Sequence, residues 1–577
     1  MMQTFIDGKE CSLEDTISSF KEKLKRYGFD IEEVSWLNPA KNIWSVHIRD
    51  KEAPMNFTNG KGATKKAALA SALGEYFERL STNYFYADYF LDLDESNPFV
   101  HYPNEKWFKI PEDNIIPSEI LSEELLKFYD PTLELLASDL IDLQSSNIEK
   151  GICSIPFTNI VTQEKVYFPV NLIGNLYVSN GMSAGNSIEE ATVQALSEIF
   201  ERHIKNIIIK EALSLPEIPL NILKEYPDIL QSVKDIESKG FTLKCFDASL
   251  GGKYPVICSV LIERKSHTCI SSFGSHPKFK VALERTVTEL LQGRELSSIS
   301  ANLSEPTFNK EIVSDIHNLE LHFIDSSGLL HWNLFSQNDS FDFIHWNYDG
   351  NTEEELQKLI SILTGENLNI FIAEYNHLDV NCCRVIVPSW SEVYQPEELI
   401  ESNNNSAISL RETIFNLPNL NLSSTEYASL FEQLESLNFD DNKPVFELLG
   451  FIPPKKSKWK ELRLGELKGM VALAGGDLFL AKEYVDWYLS NNFSTDLNIY
   501  KCLNVIIDIY INDEGEINNF KDALSEFFET ELIETCIDLI TGKQRFINLS
   551  TIILKDLQDY QLLLNSYNKL QRAKLEC

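Results

Sequence analysis

The sequence contains one pattern twice: Ala-Leu-Gly-Glu-Tyr-Phe-Glu-Arg at residues 72–79 and Ala-Leu-Ser-Glu-Ile-Phe-Glu-Arg at residues 195–202. Six of the eight positions are identical. Each copy follows an Asn-Gly dipeptide, at residues 59–60 and 180–181, and the second copy lies two residues further from its dipeptide. Because Asn-Gly is typical of tight turns, the repeat predicts two copies of one turn–helix unit.

The polar residues of each unit are spaced for one face of a helix. In the first unit Ser71, Glu75 and Glu78 are separated by four and then three positions. In the second unit the spacing is four, four, four and three, and the stripe consists of Asn186, Glu190, Gln194, Glu198 and Glu201. Residues at these intervals line one side of an α-helix, and the longer stripe covers about 22 Å.

A third predicted helix, over residues 281–291, carries Arg285 and Glu289 four positions apart. Carboxylates on neighbouring turns repel each other, and a divalent cation removes that conflict, since magnesium is usually held by carboxylates together with substrate phosphates. Arginine supplies planar donors suited to phosphoryl oxygens, and the three helices provide Arg79, Arg202 and Arg285. The sequence therefore predicts a site for a nucleoside triphosphate with magnesium.

Each helix taken alone has a simpler interpretation. A Glu-x-x-Glu-Arg segment is often a solvated surface with ion pairs, Ser187 and Glu190 fit a capping box at a helix start, and the third helix offers an ordinary i,i+4 ion pair. Phe77, Phe200 and the surrounding alanines and leucines instead predict core helices. Because unpaired charges are costly in a core, the three helices together favour ligand binding.

Other nucleotide and metal signatures do not account for these helices. The sequence has no Walker A loop and no Gly-x-Gly-x-x-Gly. A carboxylate-bridged di-iron bundle needs Glu-x-x-His pairs, but Ile204 follows Glu201 by three positions and Ser81 follows Glu78 by three. The metal predicted here is therefore magnesium.

The three helices resemble the ATP site of the YcaO family. The first family motif, Ser-x-x-x-Glu-x-x-Glu-Arg, is matched by Ser71, Glu75, Glu78 and Arg79. The second is matched by Ser183, Asn186, Glu190, Gln194, Glu198, Glu201 and Arg202, and the third by Arg285 and Glu289. The similarity runs through the whole chain and implies a protein that binds ATP and Mg²⁺.

The resemblance also implies roles for individual residues. YcaO proteins activate a peptide amide by phosphorylating its carbonyl oxygen with ATP, which would make Glu198, Glu201, Arg202 and Arg285 catalytic. Magnesium ions would be held by Glu75, Glu78, Glu198, Glu201 and Glu289, with Thr16 as a further ligand. Ser183, Asn186 and Glu190 would face the ribose or adenine. Lys9, Lys61 and Lys66 would be additional contacts to the nucleotide.

Two absences limit what the resemblance implies. The last hundred residues contain no proline, unlike the proline-rich tail of azoline-forming members, so heterocycle formation is not expected of this chain alone. It also lacks the Cys-x-x-x-Cys-x-x-Cys site of radical S-adenosylmethionine enzymes.

Similarity to stand-alone members implies an accessory role in β-methylthiolation of small-subunit ribosomal protein twelve, with a radical methylthiotransferase or that ribosomal protein as partner. The alternative is a non-catalytic, ATP-bound adaptor that recruits a partner through its C-terminal helices.

The order of predicted elements divides the chain in two. Helical periods alternate with short strands at residues 43–48, 166–172, 254–262, 369–375 and 383–387, which predicts an α/β or α+β body with layered sheets over residues 1–405. Asn403, Asn404 and Asn405 form a polar break. The remainder, residues 406–577, reads as helices with tetratricopeptide-like hairpins, a domain suited to partner binding or to a homodimer.

The composition of the chain excludes several classes of protein. The 577 residues include 51 Lys and Arg against 87 Asp and Glu, a formal net charge of −36. Such acidity argues against a broad nucleic-acid-binding face. The ten cysteines contain no Cys-x-x-Cys, and no apolar run is long enough for a membrane span or a signal peptide. We therefore expect a cytoplasmic protein with reduced thiols.

Overall fold

The structure is a computed structural model that describes residues 3–91, 93, 99–145, 147–399, 403–491, 497–513 and 516–576. The strands are β1 (Ile31–Ala40), β2 (Ile43–Asp50), β3 (Phe57–Gly62), β4 (Lys106–Phe108), β5 (Ile152–Asn159), β6 (Lys165–Pro169), β7 (Met182–Gly185), β8 (Phe241–Asp247), β9 (Val256–Glu263), β10 (Thr268–Ser275), β11 (Phe371–Tyr375) and β12 (Asn381–Ile386).

The first helices belong to the body that contains these strands. They are α1 (Leu13–Arg26), α2 (Lys65–Ser81), α3 (Glu123–Tyr129), α4 (Val170–Leu172), α5 (Ile188–Glu211), α6 (Leu220–Leu223), α7 (Pro227–Ser238), α8 (Phe279–Leu290), α9 (Lys310–Ser314), α10 (Ile316–Ile324) and α11 (Thr352–Gly365). The later helices are α12 (Arg411–Asn416), α13 (Ser424–Ser436), α14 (Val445–Leu449), α15 (Lys458–Glu461), α16 (Leu464–Gly475), α17 (Leu478–Ser490), α18 (Leu497–Asn512), α19 (Lys521–Phe527), α20 (Thr530–Ile540) and α21 (Gln558–Leu575).

The strands form three sheets whose neighbouring strands run antiparallel. One sheet has the order β1-β2-β3, a second has the order β10-β9-β8, and a third has the order β4-β5-β11-β12-β7 with β6 beside β5. The predicted mixed body of helices and sheets is therefore confirmed. One predicted strand was too long: residues 166–172 extend only to Pro169, and a helical turn begins at Val170.

Each sheet ends in a strand that feeds one of the three site helices. Strand β3 packs on α2, β7 packs on α5, and β10 packs on α8. Helices α2 and α5 start at side-chain caps: Thr64 accepts from the Ala67 N–H and Ser187 accepts from the Glu190 N–H, which satisfies donors that a helix start leaves free. Helix α8 has no such bond at its N-cap, Lys278. Three strand–helix units of one kind therefore meet around the site.

Glycine in these strands allows the close approach of strand and helix. A Cβ atom on Gly60 would lie 2.0 Å from the carbonyl oxygen of Ala68, and one on Gly274 would lie 2.7 Å from that of Ala282. The prediction of a tight turn at residues 59–60 was wrong, because both residues lie inside β3. The second dipeptide, at residues 180–181, does lie in a turn, with Gly181 at φ +75°, but β7 separates that turn from α5.

The C-terminal helices pack directly on the body. One hydrophobic core includes Phe20 and Phe77 of the body together with Trp459 and Tyr567 of the later helices. The predicted polar break is a buried turn, since the Asn405 side chain donates to the carbonyl oxygen of Leu143 at 2.9 Å. The domain boundary after residue 405 and the tetratricopeptide-like arrangement remain predictions.

The nine cysteines within the described residues are all free, and eight of them are buried. Among the helices of the described ranges, none is long and apolar enough to cross a membrane.

Candidate nucleotide and metal site

Helices α2, α5 and α8 present their predicted carboxylates beside arginine and lysine side chains. On α5, Arg202 Nη2 lies 2.8 Å from Glu198 Oε1. On α2, Arg79 lies 3.4 Å from Glu75 and 3.6 Å from Glu78. These contacts pair Glu75, Glu78 and Glu198 with the arginine of their own helix.

Contacts between elements join the three helices at this cluster. Arg285 Nη1 of α8 donates to Gln194 Oε1 of α5 at 2.8 Å, and Arg285 Nη2 lies 4.0 Å from Glu201 Oε2. Lys61 of β3 reaches Glu289 of α8, with Nζ and Oε2 separated by 2.7 Å. The sequence motifs from three distant parts of the chain therefore meet in one place.

The pKa values of the glutamates show that their charges influence one another. Burial raises the pKa of Glu75 and of Glu78, and the negative charge of Glu198 raises both further against the opposing effect of Arg79. Burial, followed by the charge of Glu289, raises the pKa of Glu201 to about 7. Carboxylates that raise one another's pKa values in this way share one region of low dielectric, where a divalent cation would relieve their repulsion.

Glu289 departs from this pattern because of its lysine partner. Burial acts to raise its pKa, but the charge and hydrogen bond of Lys61 outweigh burial, and the net pKa is lowered. A lowered pKa means that Glu289 remains an anion. Lys61 thus acts as an internal counter-ion for the carboxylates of the site.

The residues present fit a magnesium–phosphate group by donor type. Five carboxylates provide the oxygen ligands that magnesium prefers, and Arg202 Nη1 is buried without a hydrogen-bond partner among the described residues. In the described part of the chain no three acidic, histidine or cysteine side chains are close enough together to hold one ion. The carboxylates instead face arginine and lysine, so binding a metal requires side-chain rotation away from these partners.

The other end of the α5 stripe forms a separate polar group. Lys9 Nζ and the Glu10 N–H contact Glu190 at 3.1 and 3.0 Å, and Asn186 donates to the same carboxylate at 3.1 Å. Burial acts to raise the pKa of Glu190, but Lys9 and these hydrogen bonds lower it overall. Ser187 caps the helix as the simpler interpretation requires, yet the Glu190 carboxylate also links the N-terminal segment to α5.

Four residues predicted to contact the ligand have partners other than the carboxylates predicted to hold magnesium. Thr16 donates to Asn186 Oδ1 at 3.1 Å, at the opposite end of the stripe from Glu198, and Lys66 pairs with Glu14. Ser183 is buried and donates to the Ala191 carbonyl oxygen. Ser71 accepts from the Lys61 N–H at 3.4 Å. The structure therefore does not bring Thr16 or Lys66 to the predicted magnesium ligands.

Two buried cations near the site were missed by sequence reasoning. Lys205 donates to the His322 carbonyl oxygen at 2.9 Å, and burial, followed by the charge of Arg202, lowers its pKa to about 8. Arg384 of β12 is buried and donates to the Val178 carbonyl oxygen at 2.9 Å. The spacing of Lys205 four residues after Glu201 was an available signal, as was a lone arginine within an apolar strand.

The carboxylates, arginines and lysine that meet here form a candidate nucleotide and metal site, and comparison with known proteins specifies the family. A family model described as YcaO cyclodehydratase, ATP- and Mg²⁺-binding, matches residues 59–391. A second, described as YcaO cyclodehydratase C-terminal domain, matches residues 407–576. The chain belongs to the YcaO family.

Two relatives are similar over the full length. The "Ribosomal protein S12 methylthiotransferase accessory factor YcaO" of Escherichia coli strain K12 is 50% identical over 581 residues, which cover 100% of this chain and 99% of the relative. An uncharacterized protein of Haemophilus influenzae is 48% identical over 582 residues, again 100% and 99%. Both therefore share the whole architecture, including the C-terminal helices.

Solved structures of similar shape are more distant. A heterocyclase in complex with substrate and cofactor has 18% identity and a TM-score of 0.45, covering 67% of this chain and 54% of that one. YcaO from Methanopyrus kandleri, bound with AMPPCP and Mg²⁺, has 17% identity and a TM-score of 0.41, covering 68% and 95%.

Proposed function

We propose that this chain binds ATP with magnesium between α2, α5 and α8 and hydrolyses it to ADP and phosphate. The observation that carries the proposal is the meeting of five glutamates with Arg202 and Arg285, which come from three motifs spread over residues 71–289. Burying that many like charges is costly unless ligands compensate them. A magnesium–triphosphate group supplies the compensation.

Each group of residues would have its own part in binding ATP and magnesium. Glu198 and Glu201, with Glu75, Glu78 and Glu289, would hold magnesium, which neutralises phosphate charge when bound. Arg202 and Arg285 would bind phosphoryl oxygens and stabilise charge as it develops. The predicted ribose or adenine end comprises Ser183, Asn186 and Glu190. At 1.5 Å per residue, Glu190 lies about 12 Å along α5 from Glu198.

The description of the full-length relative supports a proposal for the process in which the ATP is used. Because the Escherichia coli protein is described as a ribosomal protein S12 methylthiotransferase accessory factor, we propose the same accessory role here, with activation of a peptide amide as the chemistry. The partner would be the methylthiotransferase, the ribosomal protein, or both. The C-terminal domain after residue 405 would bind that partner or form a homodimer, and the site of action would be the cytoplasm.

Binding of a non-hydrolysable nucleotide tests the site itself. Calorimetric titration with AMPPCP and magnesium should give one site in the parent protein and at least tenfold weaker binding in Glu198→Gln. Glu189→Gln is the matched control, since Glu189 lies on the same helix outside the polar stripe. Equal binding by all three proteins would contradict the proposed site, and binding without any hydrolysis would favour the adaptor.

A further inference from the structure

Aromatic side chains are exposed together on the segment that follows α8. Phe308 is 74% exposed and Trp332 is 44% exposed, and their rings stack with centroids 6.0 Å apart and an interplanar angle of 23°. Phe335 packs against Trp332 with centroids 5.9 Å apart. Single exposed apolar side chains are ordinary, but aromatic side chains that contact one another at the surface are typical of protein interaction sites. We call Phe308, Trp332 and Phe335 the aromatic surface.

The backbone holds the two exposed rings side by side. The Thr307 N–H donates to the Leu330 carbonyl oxygen at 2.9 Å, and the Trp332 N–H donates to the Thr307 carbonyl oxygen at 3.0 Å. The His331 ring nitrogen Nε2 lies 3.1 Å from the Phe308 carbonyl oxygen. Because the chain fixes both positions, a partner would lose little conformational entropy by binding there.

The sequence around the aromatic surface is strongly acidic. Between residues 305 and 342 a single lysine or arginine, Lys310, occurs with seven acidic residues: Glu305, Glu311, Asp315, Glu320, Asp325, Asp339 and Asp342. Six of the seven are exposed, all except Glu320. Lys310 itself pairs with Glu211 at 3.1 Å. Acidic side chains attract lysine and arginine, and exposed aromatic rings attract the same cations through their faces.

The segment that carries this surface is also attached to the candidate nucleotide and metal site. The Phe323 ring of α10 lies 4.3 Å from the Arg202 guanidinium, and the His322 carbonyl oxygen accepts from Lys205 at 2.9 Å. Helices α9 and α10 pack on each other and on α5. A partner held by the aromatic surface is therefore near the end of α5 that carries the predicted phosphate-binding residues.

We propose that the aromatic surface, together with its acidic residues, binds a lysine- and arginine-rich protein segment that carries an apolar side chain. A second copy of this chain is disfavoured, because pairing the surface with itself would bring like charges together. Ribosomal proteins are rich in lysine and arginine, since they contact RNA phosphates. The inference rests on the proposed function, and it selects the ribosomal protein rather than the methylthiotransferase as the partner bound here.

The test titrates purified ribosomal protein S12 into the full-length protein and measures the dissociation constant by calorimetry. Phe308→Ser and Trp332→Ser should each weaken binding about fivefold or more, because each removes one ring of the exposed pair. Phe479→Ser is the matched control, since Phe479 is 75% exposed but lies on α17. Its dissociation constant should stay within about twofold of the parent value.

Charge reversal tests the acidic residues separately. Glu305→Lys combined with Glu311→Lys should weaken binding about tenfold, because it replaces attraction with repulsion, and the loss should shrink as ionic strength rises. Glu112→Lys combined with Glu237→Lys is the control, since it changes the net charge equally at exposed positions outside residues 305–342. This control should bind S12 more tightly than the first pair does.

The outcomes separate this inference from the proposed function. S12 that does not bind the parent, or that binds Phe308→Ser and Trp332→Ser as tightly, overturns the inference. If a parent oligomer dissociates in either variant by light scattering, a second copy covers the surface, which also overturns it. Loss of affinity for the methylthiotransferase alone has the same consequence. If AMPPCP with magnesium does not bind the parent, the proposed function fails, whereas weakened S12 binding by the variants still supports the surface.

Discussion

Lys61 Nζ lies 2.7 Å from Glu289 Oε2 and joins β3 of one strand–helix unit to α8 of another. The pair places a fixed positive charge among five carboxylates, where it lowers the pKa of Glu289 against the effect of burial. A lysine in this position offsets the repulsion among the carboxylates and so stabilises the folded state without a metal. It would also compete with a magnesium ion for Glu289.

Removing this lysine should make stability depend on magnesium. In Lys61→Met the carboxylates lose their counter-ion, so without magnesium we expect a loss of about 1 kcal/mol, the value of a partly exposed pair. Magnesium alone should then restore more stability to the variant than to the parent. Thermal denaturation with a chelator and with magnesium measures both effects. If the variant and the parent have the same melting temperature in the chelator, Lys61 does not act as a stabilising counter-ion.

The titration of Glu201 gives a signed pH dependence. Its pKa is about 4.3 in an unfolded chain and about 7 in the fold, where burial and the Glu289 charge raise it. Between these values the native state holds a proton that the unfolded state has lost, so this group's stabilising contribution is complete below about pH 4 and falls as the pH rises to about 7.

Glu201→Gln mimics the protonated group and should remove this dependence. By about pH 8 the variant should be more stable than the parent, by a difference of order 3 kcal/mol, and the two should converge near pH 4. Chemical denaturation at several pH values measures the difference. AMPPCP with magnesium should reverse the order by stabilising the parent alone, and a pH-independent gap between the two proteins would argue against the assigned pKa.

Gly60 should tolerate no side chain. A Cβ there would lie 2.0 Å from the Ala68 carbonyl oxygen and 2.4 Å from the Ala72 nitrogen, so Gly60→Ala must push β3 away from α2 and carry Lys61 with it. We expect severe destabilisation, of several kcal/mol. Gly365→Ala is the control, since nothing lies within 4 Å of its added Cβ; melting temperatures that fall equally in the two variants would refute the steric argument.

The last helix is attached to the body by a buried lysine. Lys574 is 2% exposed and donates to the carbonyl oxygens of Val100 and His101 at 2.7 and 3.2 Å, and also to Asn83 just beyond α2. Lys574→Met leaves these acceptors unsatisfied and should cost about 3 kcal/mol. Hydrogen exchange should rise across residues 558–575.

Lys569 provides the matched control for that helix. It pairs with Glu52 at 2.6 Å, and Glu52 is largely exposed, so Lys569→Met should cost less than about 1 kcal/mol. If both variants exchange at the parental rate in α21, the buried lysine does not hold the helix in place.

The sequence predicted the structure best where the predicted site residues recur with the period of a helix. The spacing of Glu198 and Glu201 predicted both α5 and the shared face, because a helix fixes the neighbours of a residue three and four positions away. The Asn-Gly dipeptide at residues 59–60 predicted a turn, but packing against α2 requires glycine inside the strand. Lys205 and Arg384 could not be assigned, because their environments depend on segments far away in the chain.

The sequence also left the site's internal pairing undetermined. Lys61 appeared only as an additional contact to the nucleotide, since nothing in its local sequence relates it to Glu289, 228 positions later. Thr16 was assigned to the metal but lies with Asn186. Residues carried by one helix are ordered by helical geometry, whereas contacts between elements depend on the tertiary fold.

Release of ADP and phosphate in the presence of magnesium measures the proposed hydrolysis of ATP. We expect turnover by the parent and by Glu189→Gln, and at least a hundredfold less by Glu198→Gln and Glu201→Gln, because the latter two lose carboxylates that would face the phosphates. All four proteins should be compared at equal folded concentration. If the parent turns over ATP no faster than Glu198→Gln and Glu201→Gln do, the proposed hydrolysis of ATP at this site is contradicted.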